Sequence, residues 1–570
     1  MSNIATLAIF FTMIVILPPC LWASAPVDDA SEVFRTKLTE AMAQDGFSQE
    51  DIHIRALHTP KDLRHRLLGE KIDPPYTPID FYDPDFKPLP SNPLQKNPPI
   101  LIVFPGIASD LLGINMFQNI TEGSESKVPL NLSKEDEGRV ALTNFYSETG
   151  QLISRIIDLR YPIYSLESFL PPKKQALTFR RMIDLVFQQA GLHDSEEDVY
   201  ILGYSRGVLP ALTLLDQVQS ESQKPSWYRR PSGEQRLKGF ISLAGTITGS
   251  FADALYKKDP LLINTGNTLA EMLDQMEPDI KAFERNYQLL FGSKENPDHA
   301  LLIKVLDLLW ELQTVMPLKA EPVNRQKGLF SIPEFTDPRL LKESGGRRLI
   351  ELLQSNMATF FGIVTKLTGH LIIIDGNIRH QHAPDEISRA QIARTYAEAI
   401  MSLKRVKHII PGLMIMQKDR LKKFWGTLAL PHEITYYSLS TTLPEPIKGF
   451  QEANAPGYRR AYDTFHRRID SLVLRVPYYT FVDQLGDKLN DGQVSVSQSL
   501  IRPALLSLGT GLTYQVTDLG VVGSSHWEIV FDQVFKNPDD WVKPPLGGPS
   551  FHTSVVKALV ATLQSMDRGR

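Results

Sequence analysis

The sequence predicts an α/β protein with a mostly parallel central sheet and a large helical insertion, and three observations predict it. Ile100–Phe104 is a continuous apolar run, the composition of a strand buried on both faces, and residues 240–245 read as another buried strand. Between them, Val199–Tyr204 runs through Gly203-Tyr204-Ser205-Arg206-Gly207 into an apolar pattern with helical spacing. Strand, helix and strand in succession argue parallel pairing with right-handed crossovers. From about Thr246 to His432 that alternation lapses into helical patterns.

Composition bounds the reading. At 570 residues the chain is long for one domain, so two domains or one domain with large insertions is expected. The 42% hydrophobic and 22% charged fractions are those of a globular protein, and a net charge of −4 without a long basic run argues against nucleic acid as a partner.

Residues 1–25 combine an apolar stretch, Pro18-Pro19 and the small residues Ala23-Ser24-Ala25, the pattern of a secretory signal peptide. Export, to the periplasm or the medium, is the expected localisation; an uncleaved membrane anchor is the alternative, because the n-region lacks Lys and Arg. Cys20 is the only cysteine and lies in this segment, so the mature protein is expected to have no disulfide and no cysteine-based metal site. Residues 26–99 read as an N-terminal extended arm that ends in a proline-rich run, with no chemistry evident in it.

The core is expected over 100–249 and 433–570. Pro105-Gly106-Ile107 follows the first strand, and a glycine there lets backbone amides approach a ligand. Pro171-Pro172 punctuate the chain before a helix over 175–189, with Leu177, Ile183, Leu185, Val186 and Phe187 as its apolar positions. In the elbow, Ser205 at a strand-to-helix apex is expected to have strained backbone angles, with Gly203 and Gly207 set by close neighbouring chain. Residues 250–432 are read as a mostly helical cap, whose apolar segment at 349–367 either lines an acyl pocket or forms the insertion's own core. The sheet resumes at 434–439. Asn490-Asp491-Gly492-Gln493-Val494 is an acidic loop, and a last strand pattern at 513–516 leads to Ser525-His526 before an apolar helix.

A serine hydroxyl is a poor nucleophile until a base takes its proton. His526 is the candidate base and Asp491 the candidate acid, in the order Ser, Asp, His. Asp487 and Asp483 are rival acids; Asp491 is preferred because Gly492 allows a tight turn.

At these residues the chain resembles the α/β-hydrolase superfamily, and more narrowly serine lipases and esterases. Bacterial lipases carry similar Asp-Gly-x-Val and His-x-x-x-Val segments, here Asp491 to Val494 and His526 to Val530. Two positions depart from the pattern: Pro105 stands where many members have His, and Arg206 is unusual after the serine. The resemblance implies a Ser205–His526–Asp491 triad, an oxyanion hole from the Ile107 and Arg206 backbone N–H groups, and no metal or organic cofactor. It implies an ester or lipid as substrate, with a membrane or lipid interface as a possible contact. The same residues also fit an acyltransferase, an amide or thioester hydrolase, or a non-catalytic binding protein on the hydrolase fold.

Overall fold

A computed structural model describes residues 27–57, 98–253 (without 108, 113–114, 118–119, 121–126 and 163–164), 409–443, Tyr478, 482–531 (without 483, 488 and 509–512) and 550–567. The expected leader at 1–25 and all but the ends of the expected cap lie outside the described residues.

Eight strands form one sheet: β1 Ile100–Phe104, β2 Lys127–Val128, β3 Val140–Tyr146, β4 Leu152–Leu159, β5 Val199–Tyr204, β6 Leu237–Leu243, β7 Thr435–Thr442 and β8 Gln515–Gly523. Their order is β2-β3-β4-β1-β5-β6-β7-β8. From β4 to β8 every pairing is parallel, and β2-β3-β4 is an antiparallel edge. The protein is therefore α/β with a mostly parallel mixed sheet. The β3–β4 hairpin is missing from the sequence reading. It closes through a bond from Ser147 N–H to Gln151 O of 2.8 Å, with Gly150 at φ +78°.

Both faces of the sheet are covered, which is why the central strands β1 and β5 read as apolar runs buried throughout. Ile100, Ile102 and Phe104 face helices α2 (Pro172–Gln189) and α3 (Val208–Ser220), packing with Phe179, Ile183, Leu212 and Leu215. Leu101 and Val103 point the other way, with the period of two that a strand imposes. They join Phe34, Leu38 and Met42 of α1 (Val27–Gln44) and Val555 and Leu559 of α5 (Phe551–Asp567).

Three expectations change. Residues 27–44 and 49–55 are helical rather than an extended arm, and α1 lies in the core against α5; of the proline-rich run at 82–99, all but Pro98 and Pro99 lie outside the described residues. The cap's expected C-terminal boundary moves. Leu421 and Trp425 of α4 (Lys418–Trp425), with Leu428 and Leu430, belong to the same core as α2 and α3. Leu177 of α2 points to solvent at 58% exposure.

Candidate active site

Ile107 follows β1, Ser205 and Arg206 follow β5 and His526 follows β8, each at the C-terminal end of a strand in the parallel part of the sheet, where open α/β sheets place their ligands. The elbow comes first. β5 ends at Tyr204, Ser205 has φ +52°, and a single 3₁₀ turn over Ser205–Gly207 opens into α3. A non-glycine residue at positive φ is costly and persists only where its surroundings impose it. Here the two glycines remove the obstacles. A Cβ on Gly203 would lie 2.7 Å from Val208 Cα, and one on Gly207 would lie 2.5 Å from both Phe104 O and Pro105 O. Strand, turn and helix can approach this closely only without those side chains.

Ser205 Oγ lies 2.7 Å from His526 Nε2. His526 Nδ1 lies 2.7 Å from Asp491 Oδ2. With Asp491 accepting, the network assigns the ring proton to Nδ1, which leaves Nε2 free to accept from the serine hydroxyl. All three side chains are buried, Ser205 at 3% exposure.

The acid is held from several sides. Asp491 Oδ1 accepts from Gln493 N–H at 2.9 Å and Val494 N–H at 2.8 Å, and Oδ2 accepts from Thr441 Oγ1 at 2.5 Å as well as from the histidine. Gly492 has φ +95°, the conformation that lets the loop curl its amides back onto the carboxylate. Leu443 N–H to Asn490 O at 2.8 Å ties this loop to the end of β7. Of the rival acids, Asp487 accepts from Leu489 N–H and Ser497 Oγ, and Asp483 lies outside the described residues.

His526 follows β8 on a run of turns, not before a helix as the sequence suggested. Among the described residues of this loop, Val530 N–H bonds Trp527 O at 3.1 Å with 3₁₀ spacing and Phe531 N–H bonds the same carbonyl at 2.9 Å with α-helical spacing. The loop is pinned from several sides, with Ser524 N–H donating to Thr442 O at 3.0 Å and Phe117 N–H to Val530 O at 2.9 Å. His526 N–H donates to Asp491 O at 3.0 Å. Tyr204 OH donates to His526 O at 2.5 Å, its ring 5.1 Å from the imidazole. Arg55 pairs with Glu528 at 2.6 Å and stacks on Phe551. Burial, with the Asp491 charge added, holds the Tyr204 phenol well above its usual range, so it remains a donor. Thr441, Tyr204 and the Arg55–Glu528 pair went unread in the sequence. Each acts through a contact between segments far apart in the chain, for which no local pattern exists.

Ile107 lies in the turn after β1. A Cβ on Gly106 would sit 2.8 Å from the Tyr204 ring and 3.2 Å from Ser205 Cβ, so this loop runs directly beside the serine. Among the described residues, no backbone turn or loop bond takes the Ile107 N–H. The Arg206 N–H belongs to the first turn after the elbow, where helical amides lack intrahelical acceptors. Among the described residues, no group of three or more His, Cys, Asp or Glu side chains is placed to hold a metal ion.

No protein-family model matches this chain, and no curated protein matches it. Among solved structures it is similar to a metagenomic carboxyl esterase, at 15% identity over 94% of this chain and 91% of that one, with a TM-score of 0.35.

Proposed function

We propose that the protein is a serine hydrolase of the α/β-hydrolase type that cleaves carboxylic esters. The observation that carries this reading is the unbroken relay from Ser205 Oγ to His526 Nε2 and from His526 Nδ1 to Asp491, 2.7 Å at each step, with the serine at positive φ. A serine used only for structure needs neither an imidazole nitrogen aimed at its hydroxyl nor a strained backbone.

The chemistry runs in two halves. Ser205 Oγ bonds to the ester carbonyl carbon while its proton passes to His526 Nε2, and the carbonyl π pair moves onto oxygen. Asp491 keeps the imidazole in its working tautomer and stabilises the imidazolium. The Ile107 and Arg206 N–H groups hold the oxyanion, a contribution typically worth about 3 kcal/mol of barrier per donor. The tetrahedral species collapses, the alkoxide leaves with the histidine's proton, and an acyl-Ser205 remains. Water then repeats the sequence, giving its proton to His526 and its oxygen to the acyl carbon, which releases the acid and restores Ser205.

The test is hydrolysis of p-nitrophenyl esters from short to long acyl chains by wild type and Ser205→Ala. Activity in wild type that falls by more than about 10⁴-fold in the variant supports the reading, as expected when the nucleophile of a coupled triad is removed. Equal activity in both proteins contradicts it.

A further inference from the structure

Arg206 follows the serine directly, and its side chain is buried, 1% exposed. Its guanidinium makes four hydrogen bonds: Nε to Gly412 O at 3.1 Å, Nη1 to Ser168 O at 2.5 Å and to Gln175 Oε1 at 3.0 Å, and Nη2 to Leu170 O at 2.7 Å. All four acceptors are neutral. Burying a charge among neutral acceptors costs far more than burying an apolar side chain of similar volume, so packing alone does not account for it.

The carboxylate that complements Arg206 stands one residue away. Asp110 accepts from Ser168 Oγ at 2.7 Å, Ser168 N–H at 3.2 Å and Ser165 Oγ at 3.2 Å. It is itself buried, three residues after Ile107, and Ser109 Oγ closes the loop onto Gly106 O at 3.1 Å. The segment around Ser168 is thus gripped by Asp110 on one side and by Arg206 on the other. Its own placement is fixed independently. Gln175 Nε2 donates to Glu167 O at 2.7 Å, and the carboxylate of Glu167 receives both Nη groups of Arg139. Gly412 permits its carbonyl to reach Arg206, since a Cβ there would lie 2.4 Å from Phe169 O.

The consequence concerns the two amides assigned above to the oxyanion. One belongs to the loop that Asp110 anchors, the other to the turn whose side chain is the guanidinium. We propose that the Asp110–Ser168–Arg206 network fixes the separation of the Ile107 and Arg206 N–H groups, making Asp110 and the Arg206 side chain positioning residues for the oxyanion hole. This rests on the hydrolase reading. Arg206 stays protonated at neutral pH, although burial draws its pKa down from 12.5 to about 10.

The test uses the full chain with Asp110→Asn, Arg206→Gln and Arg206→Lys, each checked for native circular dichroism. Two quantities are read: kcat and KM on the best p-nitrophenyl ester, and Ki for a trifluoromethyl ketone. That inhibitor adds Ser205 Oγ to its carbonyl carbon and places a full oxyanion in the hole. Displacing the amides is expected to lower kcat by about 10²-fold with KM nearly unchanged, and to raise Ki by the same factor in each variant. A merely structural role predicts lower unfolding midpoints with kcat and Ki at wild-type values, and that result overturns the network while leaving the hydrolase reading intact. Should Arg206→Gln fail to fold, the paired readout on Asp110→Asn decides alone. Wild type that neither turns over esters nor binds the ketone removes the hydrolase reading, and this inference with it.

Discussion

The carboxylate of Asp491 accepts four hydrogen bonds, only one of them from His526. The other three hold it still. Asp491→Asn would offer His526 an amide that can face it with a donor, favouring the wrong tautomer. The expected result is a fall in kcat of about 10⁴-fold, the scale of that substitution in a serine protease triad. Asp487→Asn is expected to leave kcat near wild type, because its bonds go to Leu489 and Ser497. Steady-state kinetics on one ester checks both; reversed outcomes would move the acid to Asp487. Ser205 and His526 stood out in the sequence as candidates because each lies in a Gly/Ser-bearing turn after an apolar run, and Asp491 because Gly492 follows it. Thr441 was not, since one threonine at a strand end resembles any other.

Among the elements, the elbow was read in full, since Gly203 and Gly207 mark a local steric demand that any chain making that turn must meet. Helix α1 was read as an extended arm, and its sequence shows why. Its buried side includes Ala30, Arg35, Thr36, Thr39 and Ala41 beside Phe34, Leu38 and Met42, so the apolar period is shallow. Arg35 is accommodated because its Nε donates to Ala56 O, a partner supplied from outside the helix. If α1 belongs to the core, Phe34→Ala removes a fully packed ring. It is then expected to lower unfolding stability by about 3–5 kcal/mol in urea titrations. An arm merely laid on the surface would show almost no change. The β3–β4 hairpin escaped notice because Arg155 and Asp158 interrupt the apolar pattern of β4; Arg155 pairs with Glu197 ahead of β5, and Asp158 with Arg160 just past the strand's end.

At the scale of the whole molecule, stability and chemistry meet in the sheet. Asp518 of β8 is 2% exposed, with Arg502 Nε 3.9 Å away. Burial raises its pKa from 3.8 to about 6, against the opposing pull of Arg502 and Ser438. A carboxyl whose folded pKa exceeds its unfolded one binds a proton more tightly in the native state. The stability this brings is full below about pH 4 and is lost as pH rises through about 6. Asp518→Asn lacks that loss. Its stability relative to wild type is therefore expected to rise by about 2–3 kcal/mol between pH 4 and pH 7, read from urea midpoints at both values; a pH-independent difference would show that Asp518 titrates normally. If the folded sheet makes Ser205, His526 and Asp491 one reactive unit, a fluorophosphonate should modify Ser205 in a manner that depends on His526. Labelling followed by peptide mass spectrometry is expected to find a single adduct on Ser205, formed by wild type and nearly abolished in His526→Ala. Wild type that takes no label, or a Ser205 adduct formed equally fast without His526, would mean that the three residues do not act together.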